Sequence, residues 1–263
     1  MKTTIYYFSG TGNSLKIAQD LAKNLDDTEI IPITRVIKEE GEILFSSDRI
    51  GIVYPVYIWG IPPIVSKFIK RISKNNKNKY FFAVATNHTQ VAGSLLILAN
   101  RLHSRGLKLS AGFSVIMPNS YTLSQKEHSI DNLKPLFKAS EKRLDEISLL
   151  IRNENKYEIE KGPLKQRIIN TGFIYHFVSL IFGLLDIPFS TDNNCISCGL
   201  CEKVCPVQNI TLRNGKPVWL HSCEQCFRCI NLCPKQSIQY LNKTVGKWRY
   251  KNPSIKLNDL IKK

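Results

Sequence analysis

The cysteines of this chain constrain its fold more than any other feature of the sequence. All eight lie between Cys195 and Cys233, and they form two copies of one pattern, written CISCGLCEKVCP and CEQCFRCINLCP. Two-residue gaps allow three successive thiolates to surround one centre, whereas the three-residue gap turns the fourth thiolate toward a second centre. The pattern therefore predicts two [4Fe-4S] clusters, each bound by three cysteines of one copy and the last cysteine of the other.

Two Cys₄ zinc sites are the alternative to clusters. Zinc ribbons separate two cysteine pairs widely and do not place a third cysteine at the same two-residue interval, so four-iron clusters are favoured. The stretch from about Asn193 to Tyr240 closely resembles bacterial-type two-cluster ferredoxins. One predicted cluster is bound by Cys195, Cys198, Cys201 and Cys233, and the other by Cys205, Cys223, Cys226 and Cys229.

The cysteine region is also an internal repeat. The segment CPVQNI, which starts at Cys205, recurs as CPKQSI from Cys233. Between the two copies, the segment ITLRNGKPVW alternates around Asn214 and Gly215, which predicts a β-hairpin. A duplicated short unit of this kind predicts pseudo-two-fold symmetry around a shared core.

Composition limits the partners and the compartment. A chain of 263 residues that is 43% hydrophobic is long enough for one large or two modest domains. The start, MKTTIYYFSGTG, shows no secretory signal, so we expect a cytoplasmic protein whose cysteines are reduced or bind metal. The net charge of +16 favours acidic partners, an anionic membrane or nucleic acid, with a solvated lysine-rich surface as the alternative. Because the basic residues are scattered, we do not expect nucleic acid to be among those partners.

The first half of the chain alternates between strand-like and helix-like segments. Five apolar runs, TIYYF, EIIPI, RIGIVYPV, KYFFAVAT and LKLSAGFSVIM, predict strands of a parallel sheet buried on both faces. Helices are predicted over Asn13–Leu25 and in PPIVSKFIKRI and GSLLILANRLHSRG. This alternation predicts a doubly wound α/β domain, whose ligands bind at the carboxyl ends of the strands.

The segment SGTGNS follows the first predicted strand and opens the first predicted helix. Its two glycines match the start of a dinucleotide loop, but Leu15 replaces the third glycine, and Leu15-Lys16-Ile17 stands where a P-loop needs Gly-Lys-Ser/Thr. Hydroxyl groups and backbone N–H groups at a helix N-terminus can still hold a phosphate, and a simple N-capped turn is the alternative. The predicted phosphate-binding residues are Ser9, Gly10, Thr11, Gly12, Asn13 and Ser14.

This loop resembles the FMN phosphate loop of flavodoxins, and two later segments fit the same resemblance. Flavodoxins carry an aromatic residue, often Trp-Gly, after the third strand, where YPVYIWG stands, and TNHTQVAG matches their other flavin-enclosing loop in position. The segment MPNSY departs from short flavodoxins and can approach the flavin ring from the fifth strand. A core position is the alternative for Tyr57 and Trp59. The resemblance implies FMN contacts from Pro55, Val56, Tyr57, Ile58, Trp59, Gly60, Thr86, Asn87, His88 and Gly93.

Two helical segments and a linker follow the predicted sheet. One long helix is predicted over Gln125–Arg152, and NENKYEIEKGP is a polar linker. The uncharged run Ile168–Leu185 is long enough to raise the question of a membrane span. Polar residues dilute the run, so we expect a buried or domain-bridging helix rather than an interfacial helix or a true span.

Both halves together resemble the flavodoxin-ferredoxin fusion proteins of anaerobic bacteria and archaea, over nearly the whole chain. The resemblance implies a flavodoxin-like doubly wound five-stranded parallel sheet over residues 1–152 and a helical connector over 153–190. It further implies a small α+β two-cluster ferredoxin-like domain over 191–242, followed by a C-terminal extension over 243–263.

We therefore expect an electron-transfer protein that binds FMN and two [4Fe-4S] clusters and exchanges electrons with an external redox partner protein, an acidic one being favoured by the charge. Membrane association is not favoured. A flavin-dependent reductase of a small molecule, fed by the clusters, is the alternative, and a redox-sensing module is a third. No acid-base dyad or nucleophile motif stands out, so no catalytic residue is predicted.

Overall fold

Five parallel strands form the central sheet of the chain, for which a computed structural model describes residues 1–126 and 129–261. The strand order is β2-β1-β3-β4-β5 and all neighbours are parallel, as predicted for a flavodoxin-like sheet. Every residue of the fourth strand is buried, because helices cover both faces of the sheet. The strands are β1 (Thr3–Tyr7), β2 (Thr28–Pro32), β3 (Arg49–Pro55), β4 (Tyr80–Asn87) and β5 (Leu109–Ile116).

The helices around this sheet are α1 (Asn13–Asn24), α2 (Ile33–Val36), α3 (Pro63–Arg71), α4 (Ser94–His103) and α5 (Lys134–Arg152). Helices α1 and α5 pack together on one face and share a core with Ile5 and Phe82. Tyr6 points to the opposite face, where its ring lies 5.0 Å from that of Phe68 in α3. The helices therefore cover both faces of the sheet, which is the doubly wound arrangement.

The prediction of one long helix over Gln125–Arg152 is wrong at its N-terminal end. Helix α5 begins at Lys134, after short 3₁₀ turns at Thr122–Ser124 and Asp131–Leu133. Pro135 explains the late start, because proline suits the first turn of a helix but removes an N–H group and clashes with a preceding turn. Glu127 and His128, which belong to the predicted helix, lie outside the described residues.

The connector consists of α6 (Leu164–Gln166), a π-helical segment (Arg167–Tyr175) and α7 (His176–Leu180). The prediction that it is buried holds for one face only. Thr171 and Tyr175 are buried, whereas Phe173 and Phe177 are 70% and 79% exposed. Within residues 1–126 and 129–261, no helix combines the length and the apolar character needed to cross a membrane.

The cysteine region is built from short elements. Strands β6 and β9 pair antiparallel, and β7 and β8 form the predicted hairpin, with Asn214 and Gly215 at positive φ angles of 48° and 75° in its turn. The elements are a 3₁₀ turn (Phe182–Asp186), β6 (Phe189–Thr191), α8 (Leu200–Val204), β7 (Ile210–Arg213), β8 (Lys216–Trp219), α9 (Arg228–Leu232), β9 (Ile238–Tyr240) and α10 (Leu257–Ile261).

The chain packs as two units that cut across the predicted domain boundaries. Residues 10–12, 119–126 and 129–133 come from the sheet-forming half of the sequence but pack with the cysteine region; residues 127, 128, 262 and 263 lie outside the described chain. The first unit comprises Met1–Ser9, Asn13–Pro118 and Lys134–Ser179, and the second unit comprises Gly10–Gly12, Asn119–Leu133 and Leu180–Lys263.

Gly51 in β3 provides a test of the sheet core. A Cβ atom at this position would lie 2.4 Å from Cζ of Phe82, so Gly51→Ala should lower the free energy of unfolding by about 1–3 kcal/mol. Urea unfolding followed by circular dichroism measures this change. Gly172→Ala is the control, since its Cβ would meet no atom closer than 3.5 Å and alanine favours a helix by about 0.5–1 kcal/mol. Equal effects of the two substitutions would contradict the packing described for β3.

Candidate functional site

The order of the strands creates a crevice at the carboxyl end of the sheet. Strand β1 lies between β2 and β3, so the connections that leave β1 and β3 run to helices on opposite faces. The predicted phosphate loop follows β1, and the predicted aromatic loop follows β3. Both loops thus start at the position where doubly wound sheets bind their ligands.

The phosphate loop is buried from Phe8 to Leu15. In the first unit, the Ser14 hydroxyl lies 2.7 Å from that of Thr86 at the end of β4, and Asn13 Nδ2 donates to the Pro118 carbonyl at 2.9 Å. These contacts fix the N-terminus of α1 against two neighbouring strand ends. A helix N-terminus with hydroxyl groups fits a phosphate group, because its first N–H groups have no partners within the helix.

Gly10–Gly12, the middle of this loop, pack within the second unit. Arg228 Nε donates to the Gly10 carbonyl at 2.7 Å, and the Asn252 N–H donates to the Thr11 carbonyl at 2.9 Å. Gly12 has a φ of 108°, and a Cβ on it would lie 3.1 Å from Ile255. Both the left-handed backbone and the close approach require glycine here, so the loop conformation is held by residues far along the chain.

The aromatic loop after β3 contains a strained turn. Tyr57 and Gly60 exchange two backbone hydrogen bonds, of 3.2 and 2.9 Å, around Ile58 and Trp59. Both central residues have positive φ angles, 48° and 58°, in a turn that usually takes glycine or asparagine. A β-branched residue in this conformation costs on the order of 1–3 kcal/mol, and such strain clusters at ligand sites. The turn leaves the Trp59 side chain 39% exposed, where it can contact a flat ring.

The third predicted loop continues from β4. Pro55 and Thr86 are partners at the ends of β3 and β4, and the Val56 N–H donates to the Thr86 carbonyl at 2.8 Å. Asn87 is buried, and its side-chain oxygen accepts a hydrogen bond of 2.7 Å from the Ser114 hydroxyl. His88 is exposed. The ends of the two strands therefore bring their predicted flavin residues side by side.

Thr171 of the connector joins the aromatic loop to the loop after β4, which the sequence did not predict. Its hydroxyl donates to the Trp59 carbonyl at 2.9 Å and accepts from the Gly93 N–H at 3.0 Å. Tyr175 donates to the Ile61 carbonyl at 2.9 Å, and its ring fills the space where a Cβ of Gly60 would stand, at 2.2 Å. Glycines in both loops therefore serve the packing of the connector.

The second unit brings the eight cysteines around two cavities. The cavities have empty volumes of about 370 and 330 Å³, part of it open to solvent, and both apolar and polar side chains complete their walls. The grouping matches the crossed pattern of the sequence. The first cavity is lined by Cys195, Cys198, Cys201 and Cys233, and the second cavity by Cys205, Cys223, Cys226 and Cys229.

The thiols fit a group that carries positive charge. Burial, with a smaller contribution from neighbouring cysteines, raises the pKa of Cys201 and that of Cys226 to about 11. Burial acts in the same direction on Cys233, but hydrogen bonds from Ser237, Lys235 and Ile238 together outweigh it and lower the pKa of Cys233. Buried thiolates close together need a cation to remain ionised, and iron supplies that charge.

Backbone N–H groups point at two of the cysteine sulfurs. The Asn209 N–H donates to Cys205 Sγ at 3.1 Å, and the Gln225 N–H donates to Cys223 Sγ at 3.3 Å. Hydrogen bonds of this kind stabilise cluster thiolates and tune their potential. Four thiols spread around a cavity suit a four-iron cluster better than one zinc ion, whose bonds to sulfur measure only about 2.3 Å. Among the described residues, no three His, Cys, Asp or Glu side chains form a site for a single metal ion.

Arg228 is a second residue that the sequence did not predict. It lies between Cys226 and Cys229, lines the second cavity and is 7% exposed. Its Nη1 donates to the carbonyls of Val204 and Leu260, at 2.9 Å each, in addition to the bond from Nε to Gly10. One buried guanidinium thus joins the phosphate loop, α8 and α10 beside the cluster cysteines.

The segment MPNSY also contributes to the second unit. Tyr121 meets Phe227 edge to face, with ring centroids 4.7 Å apart, and Asn231 Nδ2 donates to the Ser120 carbonyl at 3.0 Å. Phe227 lies directly after Cys226, is 2% exposed and has a φ of 53°. The loop after β5 therefore contacts the core around the second cavity.

Comparison with known protein families finds a match in each half of the chain. Residues 4–106 match the model of the flavodoxin domain, and residues 187–235 match that of the 4Fe-4S dicluster domain. No curated protein matches the chain.

Several solved structures are similar to parts of the chain. Rubredoxin oxygen:oxidoreductase from Desulfovibrio gigas shares 19% identity at a TM-score of 0.35, over 56% of this chain and 37% of that one. Azoreductase from Bacillus anthracis str. Sterne shares 9% identity at a TM-score of 0.38, over 56% of this chain and 99% of that one. A flavoprotein in complex with FMN from Lactobacillus acidophilus NCFM shares 14% identity at a TM-score of 0.36, over 43% of this chain and 92% of that one.

The two domain matches identify the order of the parts. The chain carries a flavodoxin domain followed by a 4Fe-4S dicluster domain, which is the order of a flavodoxin-ferredoxin fusion. Such a chain is an electron-transfer protein that uses a flavin and iron-sulfur chemistry.

Arg228→Met should weaken the second unit and lower the potential of the adjacent cluster. Three carbonyl groups lose a donor, so we expect a loss of at least about 2 kcal/mol in the free energy of unfolding. A cation stabilises the reduced cluster, so its removal should lower the midpoint potential by on the order of tens of millivolts. Redox titration followed by EPR measures this shift. Exposed Arg213→Met, in the same unit, is the matched control, and equal shifts in both variants would contradict the role of Arg228.

Double variants test the crossed ligation. If the cavities hold the clusters, Cys195→Ser with Cys233→Ser alters one cluster, whereas Cys195→Ser with Cys205→Ser alters both. The first variant should therefore retain about four irons per chain and the second about none. Iron analysis and EPR of the reduced protein measure the difference. The reverse result would show that each cluster is bound by one copy of the motif.

Proposed function

We propose that this flavodoxin-ferredoxin fusion passes single electrons among two [4Fe-4S] clusters, FMN and an external redox protein. When bound, a four-iron cluster exchanges one electron at a time, and a flavin exchanges one or two. The chain's own residues bind these groups, orient them and set the charge around them.

The hydrogen bond from Arg228 to Gly10 carries the proposal. Arg228 is flanked in sequence by two cysteines of the second cavity, and Gly10 belongs to the loop proposed to bind the FMN phosphate. Within the second unit, one side chain thus contacts the wall of a cluster cavity and the flavin loop together. This proximity supports transfer of electrons between a cluster and the flavin.

The two cavities differ in exposure, which suggests separate roles. In the first cavity Cys198 is exposed, and the neighbouring Ile196 is 58% exposed. In the second cavity Cys205, Cys226 and Cys229 are each at most 9% exposed. We assign exchange with the external protein to the first cavity and internal transfer to the second. The net charge of +16 favours a partner with an acidic face.

The flavin loops supply binding and orientation. Trp59, held in its strained turn, is proposed to stack on the flavin ring, while Ser9–Ser14 hold the phosphate. The hydroxyl of Thr171 fixes the carbonyl of Trp59 and the N–H of Gly93, so it keeps both loops in place before the flavin binds.

Cofactor analysis followed by stopped-flow kinetics tests the proposal. Anaerobically purified protein should contain about eight irons and about one FMN per chain, as two clusters and one mononucleotide loop require. Reduced protein should then pass electrons to acidic redox proteins, at rates that fall as salt is added.

The same measurements separate the other functions. Saturation of the rate by a small organic substrate would identify a reductase instead of a carrier. Failure to turn over either acceptor would identify a sensor. Tightly bound zinc would refute the clusters, and a purified protein without flavin that also fails to bind added FMN would refute the flavin site.

A further inference from the structure

A row of apolar side chains stands in solvent along the outer face of the connector in the first unit. Phe173 and Phe177 are 70% and 79% exposed, and their four companions are between 39% and 60% exposed. We call this surface the connector ridge. It comprises Leu164, Ile168, Ile169, Phe173, Ile174 and Phe177.

The connector ridge cannot simply turn inward. The opposite face of the helix is fixed to the first unit by Thr171, which bonds the Trp59 carbonyl, and by Tyr175, which bonds the Ile61 carbonyl. Both residues are at most 6% exposed. Rotation of the helix to bury Phe173 and Phe177 would break these bonds and expose Tyr175. The outward position of the ridge therefore follows from the packing of the inner face.

The size of the ridge points to an interaction surface. At about 150–250 Å² for each phenylalanine, the two rings alone leave roughly 200–400 Å² of apolar surface in water. The largest apolar patch of a typical monomer measures about 300–600 Å² and often has a function. With its four aliphatic residues added, the ridge is as large as these functional apolar patches.

The charges around the ridge indicate what covers it. No aspartate or glutamate occurs from Lys161 to Leu185, while Lys165 and Arg167 flank the first residues of the ridge. A second copy of the chain also carries a net charge of +16 and would bring its own Lys165 and Arg167 to this face, which opposes pairing. An anionic bilayer complements both the positive charge and the apolar surface of the ridge, because its headgroups attract the cations and its acyl boundary accommodates the phenylalanines.

We propose that the connector ridge docks this protein on the surface of an anionic lipid bilayer. The helix lies in the interface with Phe173 and Phe177 at the acyl boundary and does not span the membrane. The described helices are in any case too short or too polar for a span. This inference is independent of the electron-transfer proposal, since it rests on the outer face of the connector alone.

Vesicle flotation of the anaerobically purified holoprotein tests the inference. The protein should float with vesicles of phosphatidylglycerol and phosphatidylcholine, more weakly with phosphatidylcholine alone, and less as salt is added. Phe173→Ser with Phe177→Ser should lower the partition coefficient at least about tenfold, because both rings lose their apolar contact with the lipid.

Matched variants separate the ridge from general effects. Leu44→Ser with Leu149→Ser changes two other exposed apolar residues, at 67% and 57% exposure, and should leave binding within about twofold. Lys165→Glu with Arg167→Glu should weaken binding to anionic vesicles more than Lys67→Glu with Lys70→Glu, which removes the same charge from α3. Iron and flavin content checks folding. If the phenylalanine double variant loses its cofactors, Phe177→Ser alone replaces it.

Three results would overturn the inference. The first is failure of the wild-type protein to float with anionic vesicles, and the second is flotation of the phenylalanine variant to the same extent as the wild type. The third is a dimer of the wild-type protein in sedimentation velocity together with a monomeric phenylalanine variant. That result would make the ridge a contact between copies of the chain.

Discussion

The second unit depends on the neutralisation of its buried thiolates. Its strands have three or four residues and its helices five, and five of the cysteines themselves pack in or against its apolar core beside Phe227 and Ile230. Such short elements bury little apolar surface, so the metal–sulfur bonds must supply part of the folding free energy. Arg228 adds a fixed positive charge at the same place and ties three separate segments to it.

The middle of the predicted phosphate loop also depends on residues of the second unit. Gly10–Gly12 take their conformation from Arg228, Asn252 and Ile255, while Ser9 and Asn13 stay with the sheet. The conformation of the phosphate loop is therefore only partly encoded by the strand and helix that flank it. A flavodoxin domain without the rest of the chain would lack the donors that hold the Gly10 and Thr11 carbonyls.

Local patterns predicted most of the fold. The five strands begin and end within about two residues of the predicted runs, and Asn214-Gly215 sufficed for the hairpin, because both depend on near neighbours. Pro135 is the local signal for the start of α5, but the predicted helix was extended back to Gln125. Thr171 and Arg228 escaped prediction because their partners lie up to 112 and 218 residues away, and a polar residue in an apolar run does not reveal which carbonyl it will meet.

The single hydroxyl of Thr171 has a kinetic consequence. Because it holds the aromatic loop and the loop after β4 together, neither can open while the connector stays in place. If a flavin binds between these loops as proposed, its loading or release would need both loops to open together, against both hydrogen bonds and the Tyr175 contact. Restraint of the connector would then slow exchange of the proposed flavin, so the residence time of that group would depend on a segment outside the sheet.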